Sequence, residues 1–71
     1  MNRYLVIIEE SATGYSAFLP DLPGCIATGS TREDLEKAMR EGVEFHLEGL
    51  RESGEPVPPP RSTATYVEVA A

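Results

Sequence analysis

Hydrophobic and polar positions alternate at two different periods along this chain, and the change of period divides it. From Arg3 to Glu10 the residues Tyr4, Leu5, Val6, Ile7 and Ile8 are bulky or β-branched and leave both faces apolar, which predicts a strand inside a sheet. Ser11-Ala12-Thr13-Gly14 follows, a turn with glycine near its end. Tyr15 to Leu19 predicts a second strand, stopped by Pro20, which has no N–H for a ladder. In Asp21-Leu22-Pro23-Gly24 the proline presets φ and the glycine supplies positive φ, so a type II turn is expected. Cys25 to Thr28 is a short third strand.

The period then becomes helical. Ser30 with Glu33 reads as a capping box. Leu35, Ala38, Met39, Val43, Phe45, Leu47 and Leu50 recur at helical spacing and form one broad apolar face. Gly42 and Gly49 lie on that face, seven apart, and predict a close approach to the sheet or to another helix. The helix should end near Ser53, with Gly54 as its stop. Pro56, Pro58, Pro59 and Pro60 make a stiff connector. From Ser62 to Val69 strict alternation returns, with Thr63, Thr65, Val67 and Val69 on one side and Ala64, Tyr66 and Glu68 on the other. This predicts a fourth strand.

The expected fold is therefore α+β, in the order β-β-β-α-β. A right-handed crossover brings the fourth strand parallel to the first, giving a four-stranded mixed sheet of order 3-2-1-4 with the helix on one face. The opposite face keeps several apolar residues uncovered, so a partner or a second copy is expected there. The 71 residues make one domain, residues 1–71. So small a domain has a marginal core. A single cysteine, Cys25, and a single histidine, His46, rule out an intrachain disulfide and a Cys/His metal cluster. Self-association into a dimer or tetramer is the remaining source of stability.

Charge narrows the partners. Twelve acids against six bases give a net charge of −6. Such a domain is repelled by phosphate backbones and drawn to basic surfaces, so no direct nucleic-acid binding is expected. One cysteine and no signal-like or membrane-length apolar run point to the cytoplasm. No metal or cofactor is implied. Glu9, Glu10 and Asp21 are the acids from which a metal-dependent site would have to be built, and no spacing draws them together. Cys25 and His46 read as packing residues, Gly24 and Gly29 do not form a phosphate loop, and no reaction is written in the sequence.

The most specific stretch is Pro20-Asp21-Leu22-Pro23-Gly24-Cys25, followed by Thr28-Gly29-Ser30-Thr31, Glu33-Asp34-Leu35 and Ala38, with Gly54-Glu55-Pro56-Val57-Pro58-Pro59-Pro60 downstream. Together these resemble the HicB antitoxins and their stand-alone relatives over residues 3 to 69. Asp34 stands where that family more usually has glutamate. The resemblance implies a partial RNase H-like fold without the nuclease's full carboxylate set. It also implies a non-enzymatic role: neutralising a small basic HicA-type toxin that cleaves RNA, by covering its active face. Many such antitoxins carry a C-terminal DNA-binding domain, and this chain, ending at Ala71, is expected to be a short form. The expected partner contacts are Glu9 and Glu10 at the strand end and Asp21 and Leu22 in the corner. The alternatives are a degenerate RNase H-like metal-dependent nuclease using Asp21 with Glu9 or Glu10, and an orphan oligomeric domain without a toxin.

Overall fold

The computed structural model describes residues 3–70. Three strands and one helix follow one another: β1 (Ile7–Ser11), β2 (Gly14–Phe18), β3 (Ile26–Gly29) and α1 (Arg32–Glu52). The strands pair in sequence order as an antiparallel sheet, β1-β2-β3. Ala12 and Thr13 form the two-residue hairpin loop, with Ser11 paired to Gly14. Alternation sorts the two faces. Ile8, Ala17 and Ala27 fall in one cross-strand row, toward the helix; Ile7, Phe18 and Ile26 fall in the next, on the opposite face.

The four-stranded mixed sheet of order 3-2-1-4, with the partial RNase H-like arrangement built on it, is corrected to this three-stranded antiparallel sheet. The first strand is also shorter than expected, since residues 3–6 lie outside the ladder. Ser62 to Val69 has strand patterning but no ladder. The physical reason is that alternation provides two usable faces, whereas a strand needs a neighbour for its N–H and C=O groups. The end of the connector is tied elsewhere, as shown below, and the segment runs past β1 unpaired. The chain accordingly measures 48 × 26 × 19 Å with a radius of gyration of 14.0 Å, against about 11 Å for a compact chain of this length.

The corner between β2 and β3 is two consecutive turns. The Leu22 N–H donates to the Leu19 carbonyl at 3.2 Å, and the Cys25 N–H to the Leu22 carbonyl at 3.1 Å. Gly24 in the second turn has φ +86°, as a type II turn requires. The Leu19 N–H closes the corner on the Cys25 carbonyl at 3.3 Å. This folding points Leu19, Leu22 and Cys25 inward, where they join Ala17, Leu35 and Met39 as the buried core. The helix packs mainly on β3 and less on β2.

The helix cap sits one residue later than the capping box expected at Ser30. Thr31 is the N-cap and its Oγ1 accepts the Asp34 N–H at 3.0 Å; Ser30 donates to the Asp34 carboxylate at 3.3 Å. Both hydroxyl residues stand three before an acid, so the local pattern fits either frame. At the other end the Glu55 N–H reaches the Leu50 carbonyl at 2.9 Å and the Gly54 N–H the Arg51 carbonyl at 3.1 Å. With Gly54 at φ +74°, this is a Schellman cap, where the stop was expected. A Cβ added at Gly42 or Gly49 would meet nothing within 4 Å in this chain. The expected close approach to the sheet does not occur there; it occurs at Gly29, whose hypothetical Cβ would lie 2.6 Å from the Leu35 N.

Candidate functional site

Beyond the buried stripe of α1, a second stripe runs along its outer side. Glu41, Glu44, Glu48 and Glu52, spaced three or four apart, are all exposed, and at that spacing they share one helix face. Phe45 lies among them and is 80% exposed. The sequence pattern groups Phe45 with the apolar face because it is hydrophobic. By helical angle it stands well away from Leu35, Met39 and Val43, and the structure leaves it in solvent. Such a surface can seat an aromatic anchor in an apolar pocket of a partner while the surrounding carboxylates meet basic side chains. The signal available in the sequence was this spacing of four glutamates around one phenylalanine. His46, one position on, is half-buried.

The sequence-nominated residues fall in different settings. Glu9 and Glu10 end β1 and are exposed. Their side chains leave opposite faces: Glu10 pairs with Tyr15 in the row toward the helix, and Glu9 with Ser16 in the outer row. Leu22 is fully buried and belongs to the core. Asp21 is engaged within the chain: its Oδ2 accepts the Arg61 and Ser62 N–H groups at 2.8 and 2.9 Å, and its Oδ1 accepts the Ser62 hydroxyl at 2.8 Å. The backbone N–H of Ser62, then that of Arg61, hold the Asp21 carboxyl below its ordinary pKa. Its oxygens thus bind a chain segment 40 positions away. The Tyr4 hydroxyl, donating to the Pro58 carbonyl, fastens the same connector at a second point.

Among the described residues no group of three or more His, Cys, Asp or Glu side chains is placed to hold a metal ion, and no helix is long and apolar enough to cross a membrane. Cys25 is buried and desolvation pushes its thiol pKa up, the opposite of what a nucleophile needs. An open groove of about 610 Å³ lies between Tyr4, Val6 and Ile8 on one side and Met39, Arg40 and Val43 on the other. The outer sheet face carries Ile7, Phe18 and Ile26 in a row, with Ile26 72% exposed.

The chain is 33% identical over 64 residues to an uncharacterized 14.9 kDa protein of Haemophilus phage HP1, with 90% of this chain and 48% of that one covered. It is 34% identical over 73 residues to antitoxin HicB 2 of Photorhabdus laumondii, covering 97% and 50%. It thus spans about half the length of both relatives. Its fold is similar to that of a chain in the solved HicA3 and HicB3 toxin-antitoxin complex, at a TM-score of 0.72 and 33% identity over 83% of this chain and 70% of that one. The model of the HicB-like antitoxins of bacterial toxin-antitoxin systems matches residues 4–70. With the hairpin, the double-turn corner and the capped helix all inside that range, the chain belongs to the HicB-like antitoxin family.

Proposed function

We propose that the chain neutralises a small basic HicA-type, RNA-cleaving toxin in the cytoplasm by covering its active face, without catalysis of its own. Family membership and the likeness to a chain of a toxin-antitoxin complex support a toxin as partner. The observation that carries the reading is the outer helix face, where Glu41, Glu44, Glu48 and Glu52 run beside an exposed Phe45. An RNA-cleaving protein must present positive charge to phosphates. Carboxylates laid on that charge compete with RNA for it, and an aromatic anchor supplies the apolar contact that charge alone lacks. Glu9 and Glu10 add exposed acid at the end of β1. In this reading the chain is also a homo-oligomer, because the row Ile7, Phe18 and Ile26 and the groove beside β1 remain open in a single copy.

The test is co-expression with a small basic HicA-type protein. The wild-type chain is expected to restore growth and to co-purify with that protein. Phe45→Ala should weaken the complex by roughly thirtyfold, the effect of a hot spot of about 2 kcal/mol. Glu44→Lys with Glu48→Lys should abolish rescue while the fold, read by circular dichroism, is kept. No rescue and no complex with the wild-type chain would overturn the proposal.

A further inference from the structure

The C-terminal segment and the free edge of β1 complement each other. Thr63 to Ala70 alternates as a strand does, makes no ladder and is exposed throughout; Tyr66, Val67 and Val69 are 100%, 79% and 77% exposed. Eight residues in extended form reach about 26 Å, enough to span the five residues of β1. In the order β1-β2-β3, β1 has a neighbour on one side only. Its other edge leaves backbone groups unpaired, as in strands that take up an extra strand from another chain. Within one copy the segment passes this edge at a distance: Leu5 to Ile8 on one side and Ala64 and Tyr66 on the other line an open cleft of about 400 Å³. The Asp21 clasp on Arg61 and Ser62 fixes where the segment leaves the body.

We infer that residues Thr63–Ala70 of one copy add as a strand to the β1 edge of a second copy, and reciprocally. Each copy offers an unpaired segment with strand patterning and an open β1 edge beside the apolar groove, so a two-fold exchange uses both and closes. The side chains fit both faces. With Val67 and Val69 turned toward the helix layer, they enter the groove lined by Tyr4, Val6, Ile8, Met39 and Val43. Tyr66 then falls on the outer face, extending the row of Ile7, Phe18 and Ile26. One exchange thereby covers the apolar groove, the exposed valines and part of the open sheet face.

The inference rests on the self-association in the reading above, and the experiment separates the two. Light scattering of the full chain should give twice the 7.7 kDa monomer mass, halved by Val67→Pro, which removes a ladder donor. Two single variants, Glu9→Cys and Tyr66→Cys, are mixed and treated with a short bismaleimide; buried Cys25 stays unreactive, with the wild-type chain as control. A hetero-adduct of the two variants supports exchange, and it does so even if Val67→Pro fails to fold. A dimer that gives no hetero-adduct overturns the exchange and leaves self-association standing. A Glu9→Cys/Tyr66→Cys double variant that cross-links only within itself overturns the exchange alone, and a monomeric wild-type chain overturns both the exchange and its premise.

Discussion

Replacing Gly29 by alanine probes the joint between sheet and helix. The Cβ of Gly29→Ala would lie 2.6 Å from the Leu35 N, 2.9 Å from the Leu35 Cα and 3.1 Å from the Asp34 carbonyl carbon. All three are backbone atoms of the first helical turn, which no side-chain rotation can move aside. Gly29 does not have positive φ, so the effect is steric and not conformational. Overpacking of this kind destabilises by about 1–3 kcal/mol, and obstruction by three backbone atoms places it near 3. Reduced entropy of the unfolded chain returns about 0.4–1 kcal/mol. The net loss is therefore about 2 kcal/mol, out of a total of roughly 4–10 kcal/mol for a domain of this length. Because Leu35 is fully buried against β3, the clash lifts the helix from its core contact. In thermal melts at one fixed protein concentration, Tm should fall by about 8–16 °C. A change below about 0.5 kcal/mol would show that the helix start yields freely, and would refute the claim that β3 and α1 are held in register by backbone proximity.

Gly42→Ala and Gly49→Ala offer the contrast on the same helix: with open space at both, each should stabilise by about 0.5–1 kcal/mol in urea unfolding. The Asp21 clasp should depend on pH with a definite sign. Its folded pKa is lowered by the Ser62 and Arg61 N–H groups, so its contribution is complete above the unfolded carboxylate value of 3.8 and is lost as pH falls through the lower folded value. Amide exchange at Arg61 and Ser62 should accelerate below that point while the core amides stay protected, and Asp21→Ala should produce the same acceleration at neutral pH. Cys25, buried and with its thiol pKa raised, should react with thiol reagents only at the rate of global opening, so added urea should speed labelling in proportion to unfolding. Fast labelling in native buffer would contradict its burial. Leu22→Ala, at a fully buried site, should destabilise by about 2–5 kcal/mol.

The elements written in local signals were legible in the sequence. Ser11 to Gly14 makes a turn because glycine closes a two-residue loop. Pro23-Gly24 makes a type II turn because the two residues supply opposite φ signs, and Gly54 stops the helix by the same freedom. Where two readings of a local signal competed, the outcome was decided elsewhere: Ser30 and Thr31 both offer a cap, and the approach of Gly29 to Leu35 lies at that junction. Long-range facts were not legible. The alternation from Ser62 to Val69 states which way side chains would point in a strand, but not which backbone would pair with it. Asp21 reads in the sequence as an acid available to a partner because the groups it binds lie 40 residues away. Phe45 joins the apolar set by hydrophobicity alone, whereas its helical angle places it beside the glutamates, in solvent.

The Asp21 clasp also orders events during synthesis. The hairpin, the corner and the start of the helix each close over a few residues, and such closures take microseconds or less. Joining residue 21 to residue 61 closes a forty-residue loop, which has a larger entropy to overcome. At translation rates of about 5–20 residues per second, about 2–8 s separate the synthesis of Asp21 from that of Arg61 and Ser62, and until then the carboxylate lacks these partners. The clasp is thus a late closure relative to the hairpin, the corner and the helix, and it aims the segment that follows them.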